Sequence, residues 1–130
     1  MSTPPTKILL VDDEPHTITC VSLALGPAYQ VDHVSDPRKA FEILKKNTPG
    51  FEIVITDHQM PGWLGCELLK NLEGTAFRGK SIVLSAFLSA PIEALYRSLG
   101  VEHLIPKPFD LSQIREAVAM SVRAIRAAGS

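Results

Sequence analysis

Five polar residues have types and positions that could act together chemically. Asp12 and Asp13 follow the apolar run ILLV, Asp57 follows IVIT, Ser85 follows IVL, and Lys107 lies in IPKPF. Aspartates held close together repel one another, and a divalent cation such as Mg²⁺ relieves that repulsion by taking hard oxygen ligands. A carboxylate nucleophile, a metal ion, an ammonium group and a hydroxyl are the parts that phosphoryl transfer requires. The residues therefore indicate a magnesium-dependent phosphoryl-transfer site.

The elements that must position these residues follow from the hydrophobic pattern. Short runs rich in Ile and Val predict strands at residues 7–11, 29–34, 51–56, 81–86 and 101–105. Segments of helical period predict helices at residues 15–25, 37–47, 65–74, 89–100 and 110–127. This alternation predicts an α/β fold, in which helices cover both faces of a parallel sheet. The carboxyl ends of parallel strands lie along one edge, so the polar residues should meet there.

The composition limits the class of protein. The 130 residues, 45% hydrophobic and 21% charged, fit one folded domain, with flexible tails expected at residues 1–6 and 127–130. A formal charge of −1 without a basic run argues against direct nucleic-acid binding. The apolar runs are too short to insert into a membrane, and the opening MSTPPTK lacks the features of a signal peptide. A cytoplasmic location is therefore expected.

The histidines and cysteines show no pattern that indicates a ligand set. Cys20 and Cys66 are far apart and lack metal-ligand spacing, so both are expected to be reduced thiols. The histidines share no spacing either, and are expected to be solvated or bonded locally: His16, His33, His58 and His103.

Four stretches carry a resemblance to a known family. LLVDDEP, VITDHQMPG, VLSA and KPF occur in the order and at the spacing of the receiver domain of two-component response regulators, which the chain resembles along nearly its whole length. The resemblance implies a flavodoxin-like sheet of five parallel strands, in the order 2-1-3-4-5, flanked by five helices. Pro106 agrees with this order, because it places the fifth strand at an edge, where a proline is tolerated.

The resemblance also implies roles for individual residues. Asp57 would accept a phosphoryl group, Lys107 would pair with Asp57 and then with the phosphoryl oxygens, and Ser85 would donate a hydrogen bond to them. The implied ligands of Mg²⁺ are Asp12, Asp13, Asp57 and the main-chain carbonyl of Gln59. A cis peptide bond is implied between Lys107 and Pro108.

Partners follow from the same resemblance. The phosphoryl group would come from a sensor histidine kinase, a phosphotransfer protein or a small phosphodonor, and phosphorylation would switch a surface for a downstream protein or output domain. The chain would catalyse its own loading and unloading, without turning over an external metabolite. Family members often dimerise through the fourth helix, fifth strand and fifth helix, where candidate residues are Tyr96, Arg97, Arg115 and Arg123.

Two features depart from the family pattern. Receivers usually carry an aromatic residue three positions before the lysine, and its ring turns inward on activation, but this chain has Leu104 there. After Met-Pro, the stretch GWLG places Trp63 and Leu64 where a methionine and an acid are commoner. These two residues could form an exposed contact patch, or pack half-buried against the third helix.

Three other functions compete with a phosphorylated receiver. The first is an atypical receiver that acts mainly as a protein-interaction module, with little phosphorylation-dependent switching. The second is a small magnesium-dependent phosphohydrolase, but VDDEPH lacks the Asp-x-Asp spacing that such enzymes commonly need. The third is a flavin-binding protein, whose first loop should cradle phosphate, whereas the acids at residues 12–14 would repel it.

Overall fold

Five strands and five helices alternate along the chain in the computed structural model, which describes residues 5–48 and 50–129. The strands are β1 Lys7–Val11, β2 Gln30–Val34, β3 Ile53–Asp57, β4 Lys80–Ser85 and β5 His103–Pro106. The helices are α1 Pro15–Leu25, α2 Pro37–Lys46, α3 Gly65–Leu72, α4 Ala90–Ser98 and α5 Leu111–Gly129. Each predicted element is present, with ends that differ by only a few residues.

The strands form one parallel sheet in the order β2-β1-β3-β4-β5, which confirms the predicted fold class and strand order. β3 lies between β1 and β4, and all five of its residues are buried. At the carboxyl edge, Asp57 pairs in register with Leu84, and Ser85 pairs with Pro106. The last residues of neighbouring strands are therefore held side by side.

Each face of the sheet packs on its own set of helices. Ile8 and Leu10 of β1 point to the side covered by α1 and α5, whereas Leu9 and Val11 point to the side covered by α2, α3 and α4. This alternation is the two-residue period of a strand that is buried on both faces. Burying a Leu or Ile side chain fully contributes about 1.5–3 kcal/mol, so two such layers make the sheet a rigid support.

The chain ends depart from the predicted tails. α5 continues to Gly129, so residues 127–129 are helical, since the alanines at 127 and 128 are strong helix formers. Thr6 is buried, and its hydroxyl accepts a hydrogen bond of 3.0 Å from Arg126 Nη2. The rest of the tail prediction, residues 1–4 and 130, lies outside the described residues. Between residues 5 and 129, leaving out 49, no helix has the length and apolar character needed to cross a membrane.

Candidate functional site

The carboxyl edge of the sheet brings three of the predicted site residues together. Asp12 directly follows β1, Asp57 is the last residue of β3, and Lys107 directly follows β5. Lys107 Nζ lies 2.9 Å from Asp57 Oδ2 and 3.4 Å from Asp12 Oδ2. Asp12 is fully buried and Asp57 is buried, so this lysine pairs with two carboxylates in a largely dry environment.

Backbone hydrogen bonds across the strand ends fix this arrangement. His58 N donates to Leu84 O at 3.0 Å, which extends the β3–β4 pairing past the acidic residue. Lys107 N donates to Ser85 O at 2.8 Å, and this bond places the lysine beside the end of β4. The peptide bond between Lys107 and Pro108 is cis, as predicted. The lysine is thus held at a fixed point of the sheet edge.

Burial and neighbouring charge act in opposite directions on the pKa values of buried Asp12 and of partly buried Lys107. Burial raises the pKa of Asp12, although the Glu14 backbone N–H at 2.9 Å and the charge of Lys107 offset part of that effect. Burial alone would lower the pKa of Lys107, but the hydrogen bond to Asp57 and the surrounding carboxylates outweigh it and raise this pKa. Glu14 belongs to that surrounding, 3.9 Å from Lys107 Nζ, and was not among the predicted site residues.

Three other predicted residues contribute no side chain to this cluster. Asp13 is exposed, and its carboxylate makes no hydrogen bond or ion pair with the described residues. Gln59 is also exposed, and its backbone N–H donates to Asp57 Oδ1 at 3.3 Å. Ser85 Oγ donates to Phe87 O at 2.8 Å and accepts from Phe87 N at 3.2 Å. The Ser85 hydroxyl therefore engages its own loop.

The donor chemistry of this edge fits a hard cation. Within residues 5–48 and 50–129, no three acidic, histidine or cysteine side chains are preassembled as a metal cluster. Mg²⁺ keeps several waters and usually takes only one or two carboxylates, so a preassembled cage is not required. Asp12 and Asp57 supply carboxylate oxygens, and the neighbouring Asp13 carboxylate is uncommitted. These residues fit Mg²⁺ better than a softer metal.

The prediction that the histidines are solvated or locally bonded is wrong for His58. His58 is buried, and its Nδ1 lies 2.5 Å from the hydroxyl of Tyr96, which is 38 residues away. The position of His58 in the sequence could have indicated its burial, because it directly follows an acid that ends a central strand. His33 is exposed, but its Nε2 lies 3.0 Å from the backbone oxygen of Asp12.

Two residues assigned to a dimer surface lie elsewhere. Tyr96 is fully buried in the core between α4 and the sheet, because it lies on the apolar face of α4 with Ile92. Arg115 points toward α1, where its Nε donates to the backbone oxygen of Ala24 at 3.0 Å. Neither residue is therefore available to a partner on the predicted face.

Of the two predicted environments, Trp63 has the half-buried one and Leu64 the exposed one. The Trp63 ring packs edge-on against Phe41 of α2 with 5.7 Å between ring centroids, and the Arg38 guanidinium lies 5.6 Å from it. Leu64 is 39% exposed. Trp63 is thus half-buried as predicted, but against α2 and not α3. It lines an open cavity of about 550 Å³.

Comparisons with known proteins identify the family of the chain. The family model described as the response regulator receiver domain matches residues 8–119. Sporulation initiation phosphotransferase F of Bacillus subtilis is 28% identical over 113 residues, which cover 86% of this chain and 90% of that protein. A putative two-component response regulator of Arabidopsis thaliana, ARR21, is 32% identical over 83% of the chain, but the chain spans only 18% of its length.

Solved structures show the same fold at low sequence identity. The signal receiver domain of a putative LuxO repressor protein from Vibrio parahaemolyticus has a TM-score of 0.89 and 18% identity, and covers 97% of this chain and 96% of that one. A CheY-like receiver domain from Methanospirillum hungatei has a TM-score of 0.84 and 19% identity, covering 93% and 96%. With the family match over residues 8–119, these findings show that the chain belongs to the response regulator receiver domains of two-component systems.

Proposed function

We propose that this receiver domain is phosphorylated on Asp57 in the presence of Mg²⁺, and that phosphorylation switches a surface for a downstream partner. The observation that carries the proposal is the position of the Asp57 carboxylate at the end of a fully buried strand, 2.9 Å from Lys107 Nζ. A carboxylate held at a rigid sheet edge beside a cation is well placed to act as a nucleophile toward phosphorus.

The reaction follows from this arrangement. One oxygen of the ionised Asp57 carboxylate attacks the phosphorus of a phosphohistidine or of an acyl phosphate, and forms a new P–O bond. The bond from phosphorus to the leaving imidazole nitrogen or acyl oxygen breaks, and that atom keeps the electron pair. Lys107 lies on the side of Asp57 Oδ2 and stabilises the charge on the transferred oxygens. The product is an aspartyl phosphate on the chain itself.

Asp12, Asp13, Asp57 and the main-chain carbonyl of Gln59 would hold the cation. When bound, Mg²⁺ supplies charge neutralisation for the phosphoryl oxygens. Asp12 is buried and anchored by the Glu14 backbone N–H, so it offers a fixed oxygen, whereas the exposed Asp13 carboxylate is free to turn toward the ion. Ligation of a cation would offset the cost of burying the Asp12 carboxylate.

Ser85 would change partners on phosphorylation. Its hydroxyl donates to Phe87 O in the present structure, so a hydrogen bond to the phosphoryl group requires that this bond be released. Release would free the segment between β4 and α4, in which Phe87 is 69% exposed. The loop after β4 is therefore the part of the surface expected to respond first.

Donor and output follow from the family. Receiver domains exchange phosphoryl groups with histidine kinases or phosphotransfer proteins and act on output domains, and we expect a donor of this class for Asp57. The chain spans 26% of the length of the response regulator PilR of Pseudomonas aeruginosa, and we expect an output domain or a separate downstream protein as its target. Because the reaction modifies Asp57 of the chain itself, no external metabolite is turned over.

The alternative of a receiver that acts only as an interaction module is less favoured. The Asp12, Asp57 and Lys107 side chains are assembled at the strand ends, and burying two acids beside a partly buried lysine is costly unless they are used. The family assignment likewise favours a receiver over the phosphohydrolase and flavin alternatives.

Intact-mass spectrometry after incubation with acetyl phosphate and Mg²⁺ tests the proposal. We expect a single phosphoryl adduct in the wild type that forms only with Mg²⁺ and is absent from Asp57→Asn. Asp32→Asn, which changes an exposed aspartate on β2, is the matched control and should be modified like the wild type. An adduct that persists in Asp57→Asn, or none in the wild type, would overturn the proposal.

A further inference from the structure

A buried polar pair lies next to the acid–lysine cluster without belonging to it. His58 Nδ1 and the Tyr96 hydroxyl are hydrogen-bonded, and the two rings meet edge-on with 5.4 Å between centroids and an interplanar angle of 81°. Tyr96 is fully buried and His58 nearly so. Buried polar groups that are paired side chain to side chain fix one geometry, because neither partner can turn to water.

His58 is rigidly joined to the acceptor segment. It directly follows Asp57, its backbone N–H donates to Leu84 O, and its backbone oxygen accepts from Gly65 N at 2.8 Å. A change at the Asp57 carboxylate that moves the backbone of residues 57–59 must therefore also move the His58 ring. Three hydrogen bonds, one from the ring and two from the backbone, hold His58 between β4, the start of α3 and α4.

Tyr96 is the main anchor of α4. It is the one fully buried residue of this helix, whereas Ile92 is only partly buried. Its hydroxyl reaches the acceptor segment itself. A Cβ built on Gly65 would lie 2.8 Å from the Tyr96 hydroxyl and 2.5 Å from the backbone oxygen of Asp57. The Tyr96 hydroxyl and the Asp57 carbonyl oxygen are thus both packed against Gly65, which has no side chain.

The hydroxyl keeps its proton under all ordinary conditions. Burial raises the pKa of Tyr96 well above its usual value, with a further contribution from the neighbouring Cys66 thiol. A neutral phenol can donate to His58 Nδ1 or accept from it, so the hydrogen bond survives either arrangement of the ring proton. Leu104 packs against the same core cluster, but it has no polar atom that could make such a connection.

We propose that the hydrogen bond between Tyr96 and His58 couples the acceptor segment at Asp57 to α4, and that Tyr96 is a positioning residue for the phosphorylation switch. The inference rests on the proposed phosphorylation of Asp57. Addition of a phosphoryl group shifts residues 57–59, His58 passes the shift through its ring to the phenol, and α4 follows because Tyr96 anchors it. The signal then reaches the exposed face of α4 without a movable aromatic side chain at position 104.

Amide NMR spectra with Mg²⁺, recorded before and after saturation with beryllium fluoride as the phosphoryl mimic, test the coupling. In the wild type, we expect shifts both at the site, residues 57–59 and 85, and along α4. In Tyr96→Phe the site shifts should remain, because the groups that contact the mimic are unchanged, whereas the α4 shifts should fall below about half of their wild-type size. Tyr29→Phe, which removes the chain's other phenol oxygen, is the matched control and should behave like the wild type.

Two substitutions of His58 test the same hydrogen bond from the histidine side. His58→Leu removes the nitrogen that meets the phenol and should reduce the α4 response, whereas His58→Asn keeps a polar atom near the Nδ1 position and should preserve it. Full α4 shifts in folded Tyr96→Phe, or in His58→Leu should Tyr96→Phe fail to fold, would overturn the coupling. A wild type without any site shift would instead overturn the proposed phosphorylation, and the coupling with it.

Discussion

Lys107 Nζ and Asp57 Oδ2 lie 2.9 Å apart although 50 residues separate them in sequence. Asp57 closes β3 and Lys107 follows β5, so β4 lies between the two strands that deliver this pair. The contact exists because every strand of the sheet runs in the same direction and ends at the same edge. It joins the expected nucleophile to the cation that stabilises the transferred charge.

Loss of this cation should slow phosphorylation of Asp57. We expect Lys107→Met to reduce the rate of adduct formation from acetyl phosphate by roughly 10²-fold, the effect typical of removing one preorganised electrostatic group. The measurement is the time course of intact mass at a fixed Mg²⁺ concentration. Lys80→Met breaks an exposed ion pair with Glu102 and should leave the rate unchanged. Equal rates for both variants would contradict the assigned role of Lys107.

Asp12→Asn should stabilise the fold while weakening Mg²⁺ binding. Burial raises the pKa of Asp12 above its ordinary 3.8, so the folded state keeps this proton at pH values where the unfolded state has lost it. The stability of the wild type therefore falls as pH rises through that range. At pH 7 without metal, the variant should gain roughly 0.5–2 kcal/mol of unfolding free energy, as is common when a destabilising group is removed from a functional site.

Urea unfolding at several pH values measures this effect. The advantage of Asp12→Asn should disappear below about pH 3.8, where Asp12 is protonated in both states of the wild type. A variant that is less stable than the wild type at pH 7, with a deficit that shrinks as the pH falls and Asp12 becomes protonated, would show that the Lys107 pairing outweighs the desolvation of Asp12.

Mg²⁺ binding should be visible in the fluorescence of Trp63, the single tryptophan of the chain. Trp63 lies four residues after Gln59, and its ring rests on Phe41, so a cation bound at the Gln59 carbonyl should alter this environment. We expect a saturable change with Mg²⁺ that EDTA reverses and that is lost in Asp13→Asn. The Asp13 carboxylate makes no hydrogen bond or ion pair with the described residues, so this substitution should not disturb the fold.

Glu42→Gln is the control for that titration. Glu42 lines the cavity beside Trp63, and a weak cation bound there would change the same fluorescence. The Mg²⁺ response should persist in Glu42→Gln, and its loss in that variant, combined with an intact response in Asp13→Asn, would place the cation outside the proposed site.

Gly65 is required by close packing and not by a special backbone angle. A Cβ at this position would lie 2.5 Å from the backbone oxygen of Asp57, and a backbone atom cannot move aside cheaply. We expect Gly65→Ala to lower the unfolding free energy by about 1–3 kcal/mol, as overpacking does. In Gly129→Ala the added Cβ meets no atom within 4 Å, so its urea midpoint should match that of the wild type. Equal midpoints for the two variants would contradict the packing around Asp57.

The strand alternation and the meeting of Asp12, Asp57 and Lys107 could be predicted because each depends on a local pattern or on parallel topology, whereas the sheet order was implied by the resemblance to receiver domains. The Ser85 hydroxyl could not be placed in this way, because a serine after a strand can bond either to a ligand or to its own loop, as it does to Phe87 O. Sequence alone does not decide between two such partners.

The buried pair of His58 and Tyr96 was missed for a different reason. α4 carries few large apolar residues, so its pattern does not show which face meets the sheet, and Tyr96 was assigned to the surface. Its burial depends on the space left by Gly65, 31 positions earlier in the numbering. Such long-range complementarity between a loop and two helices has no periodic signature.

The most direct test of the account is to locate the phosphoryl group chemically. Borohydride reduces an aspartyl phosphate to homoserine, so wild-type protein treated with acetyl phosphate and Mg²⁺ should, after reduction and peptide mapping, carry homoserine at position 57. The same treatment with EDTA in place of Mg²⁺ should leave Asp57 intact. Homoserine at another acidic position, or at none, would contradict phosphorylation of Asp57 as the central function of this domain.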